Sequence, residues 1–311
     1  LRLKFKSLIF QSPTQTARKN RKLNKPSFHS ILMINGFSLL SESKRKWGNV
    51  PEDSFKYSEK GKRIYLAVAD GVSRDPFNNY PNLNTEEGKK SMARSYPKPS
   101  LAKISADIAV ESGDLYKANK KIANLNKSKV PDPNWLKEDL AGCTASLTKI
   151  EGNELTYQFI ACCGIGVIGK DGRVKLQTLD EYWTTDKGRW DLVNQADFIK
   201  GFIASVEDSY QWWLHPEGRF LMRRFFRNKP KQEYSFGVLT GEKEAEEYIR
   251  QGKFKLEDGD VVLVYSDGLR KPLFSNEGLK LIAERKFSNL EEFCRQQVDS
   301  EGTVVYWVKE R

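Results

Sequence analysis

Lys62-Arg63-Ile64-Tyr65-Leu66-Ala67-Val68-Ala69-Asp70-Gly71 is the stretch on which the fold turns. Its apolar run, Ile64 to Ala69, is bounded by a basic pair and by Asp-Gly. It is too short for a buried helix and reads as a strand covered on both faces. The run Val261-Val262-Leu263-Val264-Tyr265, followed by Ser266-Asp267-Gly268, repeats the pattern further along the chain. Both strands end near a carboxylate beside glycine.

Outward from these two strands, residues 143–150, 154–162, 164–169 and 173–179 read as short β segments. Their breaks, Glu151-Gly152-Asn153 and Lys170-Asp171-Gly172, have hairpin chemistry. Thr303 to Val308 forms a last strand, and Ser54 to Tyr57 is strand-like. Leu101, Ile104, Ile108, Leu115 and Ile122 fall at helical spacing behind Ser100, which predicts one N-capped helix over 100–124. Lys243 to Gln251 and residues 276–297 also read as helical. Residues 76–99 read as a long loop and residues 190–232 as a mixed aromatic stretch. Strands outnumber helices and hairpins dominate, which predicts an α+β fold of antiparallel sheets covered by helices.

The 311-residue chain carries a formal net charge of +11, which invites a nucleic-acid reading. Position weakens that reading, because residues 1–32 hold eight Lys/Arg and no Asp or Glu, leaving +3 for the rest. This segment reads as an extension upstream of Met33, as a transit peptide, or as a basic arm for phosphates or anionic lipid. In each case residues 1–32 are expected to lie outside the fold. No apolar run approaches the roughly 18 residues of a membrane helix, so no membrane span is expected. Cys143, Cys162, Cys163 and Cys294 form no CxxC pair. They read as buried free thiols in a reducing compartment, and the cytoplasm is the expected location. With only two His, His29 and His215, and no paired Cys, zinc and copper chemistry is disfavoured.

The informative charges are negative. Asp70-Gly71, Asp267-Gly268, Asp299 to Glu301 and Glu52-Asp53 all lie at strand ends or entries. A glycine there lets the backbone turn and frees a carbonyl to face an ion. Carboxylates with a carbonyl and waters suit Mg²⁺ or Mn²⁺. The bland alternative for each Asp-Gly is an ordinary turn, as expected for Lys170-Asp171-Gly172 and Glu257-Asp258-Gly259.

The order of the blocks narrows the choice: Glu52-Asp53, Ala69-Asp70-Gly71-Val72, Gly142-Cys143-Thr144-Ala145, Phe236-Gly237-Val238-Leu239-Thr240-Gly241, Tyr265-Ser266-Asp267-Gly268-Leu269 and Thr303-Val304-Val305. This series resembles the type 2C, metal-dependent serine/threonine protein phosphatases, and the compact microbial members in particular. The likeness covers about residues 44–308 and is strongest over Ile64 to Val72 and Leu256 to Leu269. It implies a four-layer α/β/β/α sandwich, two antiparallel sheets flanked by helices, formed by residues 33–311 as a single phosphatase-like domain. It also implies two Mg²⁺ or Mn²⁺ ions and a phosphoprotein substrate; a monomer is expected, with no nucleic-acid partner. The reaction implied is hydrolysis of phosphoserine and phosphothreonine by a metal-bridging hydroxide.

Carried over by position, Asp70 bridges the metals, the Gly71 carbonyl binds one, Asp267 binds the other, and Glu52 and Asp53 support the first. Arg45 or Lys46 is the candidate phosphate-binding residue upstream of the acidic pair. Three departures stand out. Ser300 occupies the place of the expected last Asp, leaving Asp299 or Glu301 to reach the metal. Cys163 stands where a Gly-Asp-Ser-Arg turn has Asp. Val72-Ser73-Arg74 lacks the general acid of some members. The departures at Ser300 and Cys163 leave open a non-catalytic pseudophosphatase of the same fold, acting as a binding or regulatory module. The basic aromatic stretch Arg219 to Lys231 reads first as an amphipathic segment with packed Phe and solvated Arg, and as a functional surface it suits an acidic phosphopeptide better than nucleic acid.

Overall fold

In the computed structural model, which describes residues 33–42, 45, 51–72, 99–136, 140–184, 188 and 216–310, ten strands form two sheets. One runs in the order β1 (Ile34–Leu40), β10 (Glu301–Val308), β9 (Val261–Tyr265), β6 (Gly164–Ile168) and β7 (Val174–Gln177). The other runs β2 (Ser54–Lys60), β3 (Arg63–Val72), β4 (Gly142–Glu151), β5 (Glu154–Ile160) and β8 (Arg250–Lys255). Every neighbouring pair is antiparallel.

Side-chain alternation explains why the decisive strands are apolar throughout. In β3, Ile64, Leu66 and Val68 enter a core shared with Val262, Val264, Val305 and Trp307 of the other sheet. Its Tyr65, Ala67 and Ala69 face the opposite way, onto α1 (Leu101–Ser112) and α2 (Leu115–Lys129). Val261, Leu263 and Tyr265 of β9, with Val304, Tyr306 and Val308 of β10, pack instead on α4 (Asp267–Leu273), α5 (Asn276–Ala283) and α6 (Phe287–Gln297). Three apolar cores thus separate four layers, the expected α/β/β/α sandwich, and a strand between two cores has no polar face to show. The small side chains of Ala67 and Ala69 meet Ala106 and Ala109 of α1.

Several elements differ from the sequence reading. The single helix expected over 100–124 is two. Ser100 caps α1 by accepting from the Lys103 N–H (3.1 Å). The helix ends at Gly113, whose φ of 64° no β-substituted residue adopts cheaply, and Asp114 caps α2. Residues 276–297 likewise divide into α5 and α6, with Arg285 left-handed at φ 60°. The helical reading of Lys243 to Gln251 yields to a 3₁₀ segment, Lys243–Tyr248, followed by edge strand β8. The charged edge pattern Arg250-Gln251-Gly252-Lys253-Phe254-Lys255 is one that discourages further strand pairing. The loop read at 76–99 lies almost wholly outside the described residues.

The Gly237 to Gly241 block is a structural staple. The Leu239 and Cys143 backbones pair. Asn119 of α2 donates to the Glu242 carbonyl (2.9 Å) and accepts from the Gly241 N–H (2.8 Å). Asn126 donates to the Ala141 and Thr240 carbonyls.

In the basic aromatic stretch the Phe residues pack as read and Arg224 and Lys231 are exposed, but two of the arginines are not solvated. Within α3 (Pro216–Phe225) and the turn after it, Leu221 and Phe226 join Phe236 and Val238 in a small core. Arg223 and Arg227 are buried rather than displayed. Arg223 Nε donates to the Leu136 carbonyl (2.9 Å), and Arg227 lies 3.8 Å from the Glu242 carboxylate. They spend their charge inside the protein.

Candidate active site

Strand polarity brings the acidic residues together. β3 and β9 finish at the same end of the sandwich where β2, β4, β6 and β10 begin. Ala69 pairs with Ser54, Asp70 with Thr144, and Tyr265 with both Gly164 and Val304. A cleft of about 660 Å³ opens at this end. Glu52, Asp70, Gly71, Asp267, Asp299, Ser300 and Glu301 line it, along with Asp180, Arg270 and Lys271.

Ser266 and Glu301 hold this constellation. Ser266 precedes α4 as its N-cap, yet its hydroxyl does not cap the helix. It donates to Asp53 Oδ2 (2.7 Å) and accepts from the Thr303 N–H (2.9 Å), tying the ends of β2, β9 and β10. Glu301 accepts from the Glu52 N–H (3.0 Å) and the Asp53 N–H (2.8 Å), one to each oxygen. Its carboxylate therefore clamps the acidic pair. Asp299 and Glu301 both line the cleft. Ser100, the α1 cap, donates to Glu52 Oε1 (2.6 Å) and orients that carboxylate.

The glycines beside Asp70 and Asp267 do not turn the chain. Neither lies at positive φ, unlike Gly172 (80°) and Gly259 (89°) of the ordinary Asp-Gly turns. They permit close approach. A Cβ on Gly71 would meet the backbone of Ala102 and Glu52 at 2.9 Å, and one on Gly268 would meet the Glu301 carbonyl at 1.8 Å. Glycine here lets two sheets and a helix end converge until carboxylates from separate elements are neighbours.

That crowding has an electrostatic cost. Burial, the Glu301 charge and then Asp267 push Asp53 up to about 7, against the hydrogen bonds from Ser266 and Thr303. Burial, then Asp53 and Asp267, raise Asp70 well above the ordinary carboxylate range. Carboxylates held this close favour a cation among them. The donor set fits one: ligand atoms of Asp70, Asp267 and Cys162 lie within 4.8 Å of one another.

The sequence reading missed three charged residues of the cleft. Asp180 is buried and accepts from Arg270 Nη1 (3.1 Å), which fixes a guanidinium at the wall. Lys271 stands beside it. The available signal was Ser266-Asp267-Gly268-Leu269-Arg270-Lys271, because helical spacing puts residues 267, 270 and 271 on one face. Arg45 does not join the cleft. It is exposed, and its Nε donates to the Leu40 carbonyl (2.8 Å). Lys46 lies outside the described residues.

This architecture matches that of a serine/threonine phosphatase of S. agalactiae with a TM-score of 0.54, over 90% of this chain and 100% of that one, at 13% identity. The chain has the type 2C phosphatase fold. A point mutant of a bacterial serine phosphatase aligns over the same shares at 10% identity, with a TM-score of 0.52. A bacterial serine phosphatase without a stated mutation aligns over 90% and 99% of the two chains at 12% identity, with a TM-score of 0.50. No protein-family model matches the chain, and no curated protein does. In type 2C terms, the elements that meet at the cleft are the ends of the two central sheets and the first turn of the helix after β9. Among the described residues no helix is long and apolar enough to cross a membrane.

Proposed function

We propose that this protein is a divalent-cation-dependent phosphatase that hydrolyses phosphoserine and phosphothreonine in proteins. The observation that carries the reading is the convergence of Asp70 and Asp267 beneath a cleft walled by Arg270 and Lys271. Anionic groups to hold metal and cationic groups to hold phosphate share one space.

Asp70 and Asp267 would hold the cation directly, with Glu52, Asp53 and Asp299 supporting from the cleft margin. Bound there, Mg²⁺ or Mn²⁺ supplies Lewis-acid polarisation of a phosphate ester and lowers the pKa of water. The remaining work belongs to the chain. Ser266 and Glu301 fix the acidic pair, Ser100 orients Glu52, and Asp180 holds the Arg270 guanidinium. A planar guanidinium matches two phosphate oxygens at once, which makes Arg270 rather than Arg45 the phosphate anchor.

Hydrolysis of an aryl phosphate and of a phosphothreonine peptide by the full chain tests the proposal. Turnover should require Mn²⁺ or Mg²⁺, stop with chelator, and fall more than about 100-fold in Asp70→Asn. The second reading, a non-catalytic binding module, is favoured by Ser300 in place of the last Asp and by the engagement of both Glu301 oxygens with backbone N–H groups. Cation binding by a folded chain with no turnover at any Mn²⁺ concentration would establish it.

A further inference from the structure

The described cysteines occupy two kinds of place. Cys143 Sγ is directed at the Ser105 carbonyl (3.4 Å), and Cys294 sits in the apolar core under α6. Cys162 and Cys163 lie instead at the entry to β6, and Thr144, the partner of Asp70 in β4, contacts both sulfurs (3.2 and 3.3 Å). Only Cys162 groups with carboxylates: its sulfur and oxygens of Asp70 and Asp267 lie within 4.8 Å of one another. Metal bonds of about 2.0–2.3 Å to oxygen and sulfur set tetrahedral ligand atoms about 3.3–3.7 Å apart, so side-chain rotations that draw the three atoms inward close the set on one ion.

We propose that Cys162 is a thiolate ligand of the cation held by Asp70 and Asp267, making this centre a mixed oxygen–sulfur site that prefers softer divalent ions to Mg²⁺. The proposal rests on the reading of Asp70 and Asp267 as metal ligands. As the metal–sulfur bond forms, the Cys162 S–H bond breaks and its proton leaves to solvent water. Thiolate ligation favours ions such as Zn²⁺, Co²⁺ and Cd²⁺, whereas an all-oxygen set suits Mg²⁺ and Mn²⁺. Cys163, though adjacent in sequence, is not part of the three-residue group.

Co²⁺ titration of the reduced, metal-stripped full chain tests this without reference to turnover. The visible d–d bands report binding, and a near-ultraviolet sulfur-to-cobalt charge-transfer band reports thiolate ligation. The band should appear in the wild type, persist in Cys163→Ser and vanish in Cys162→Ser while the d–d bands remain. Cadmium NMR on the wild type, with a resonance shifted downfield into the sulfur-ligated range, checks the same point without a variant. Visible bands without charge transfer in the wild type would falsify the sulfur ligand and leave the phosphatase reading intact. A band that survives in folded Cys162→Ser assigns the sulfur elsewhere and overturns the proposal, as does a wild type that binds no Co²⁺. In that last case the Mn²⁺-dependent turnover of the unmodified chain still decides the phosphatase reading separately.

Discussion

Asp53 shows how a single residue records the purpose of a site. It is 5% exposed, hydrogen-bonded to Ser266, and raised to about 7 by burial and by Glu301. A carboxyl raised in the folded state from 3.8 stabilises the fold most when protonated, and that stability drains away as pH rises through about 7. Thermal unfolding in chelator should therefore show Tm falling between about pH 4 and pH 7, and Asp53→Asn should flatten the profile. Arg270 gives a second test at this scale. Arg270→Ala should raise KM for a phosphate ester about tenfold or more, and Arg270→Lys should recover part of it, because a point charge replaces a fork. Inorganic phosphate as a competitive inhibitor should weaken in parallel. Equal phosphate inhibition in the two variants and the wild type would remove Arg270 from substrate binding. Asp70 and Asp267 were legible in the sequence because each closes a strongly apolar run. Arg270 left only its helical spacing from Asp267 as a trace, and Asp180 left none, since their partnership crosses a long stretch of chain.

Among elements, the junction of α4 with β10 is the tightest near the site. A Cβ at Gly268 would fall 1.8 Å from the Glu301 carbonyl, which is backbone and cannot swing aside. Gly268→Ala should cost about 3 kcal/mol or more and lower the denaturation midpoint without changing its slope. A near-neutral result would show that α4 can slide along β10. The element-level reading from sequence succeeded where both strand faces are buried, as in β3 and β9. It faltered where tertiary context overrides local preference. Lys243 to Gln251 is rich in helix formers, yet its end is drawn into pairing with β5, Arg250 lying opposite Phe159. Edge strand β1, Ile34-Asn35-Gly36-Phe37-Ser38-Leu39-Leu40, interrupts its apolar residues with Asn, Gly and Ser and does not stand out in the sequence as a strand.

For the molecule as a whole, the cleft joins two sheets that otherwise meet only through an apolar core. Its acidic residues come from both: Asp53 and Asp70 from the sheet of β2 and β3, Asp267 and Glu301 from the sheet of β9 and β10. A cation bound among them crosslinks the layers. Saturating Mn²⁺ should raise Tm by mass action, with stabilisation of about 2.7 kcal/mol at a hundredfold excess over Kd. Asp70→Asn should abolish that gain. An unchanged wild-type Tm across a Mn²⁺ titration would count against cation binding at this site.

The chain by itself determined the layered α+β fold and the acidic positions that meet at its cleft, Asp70 and Asp267 most plainly. Strands buried on both faces must be apolar throughout, and a carboxylate beside glycine at such a strand's end is conspicuous. The tertiary structure decided what surrounds those acids. It turned Glu301 into a clamp for two backbone amides, set Arg270 against Asp180, buried Arg223 and Arg227, and brought the Cys162 sulfur beside Asp70 and Asp267. Each of these is a contact between residues far apart in the chain. Local periodicity carries no record of such contacts, because they exist only once antiparallel pairing has brought the strand ends together.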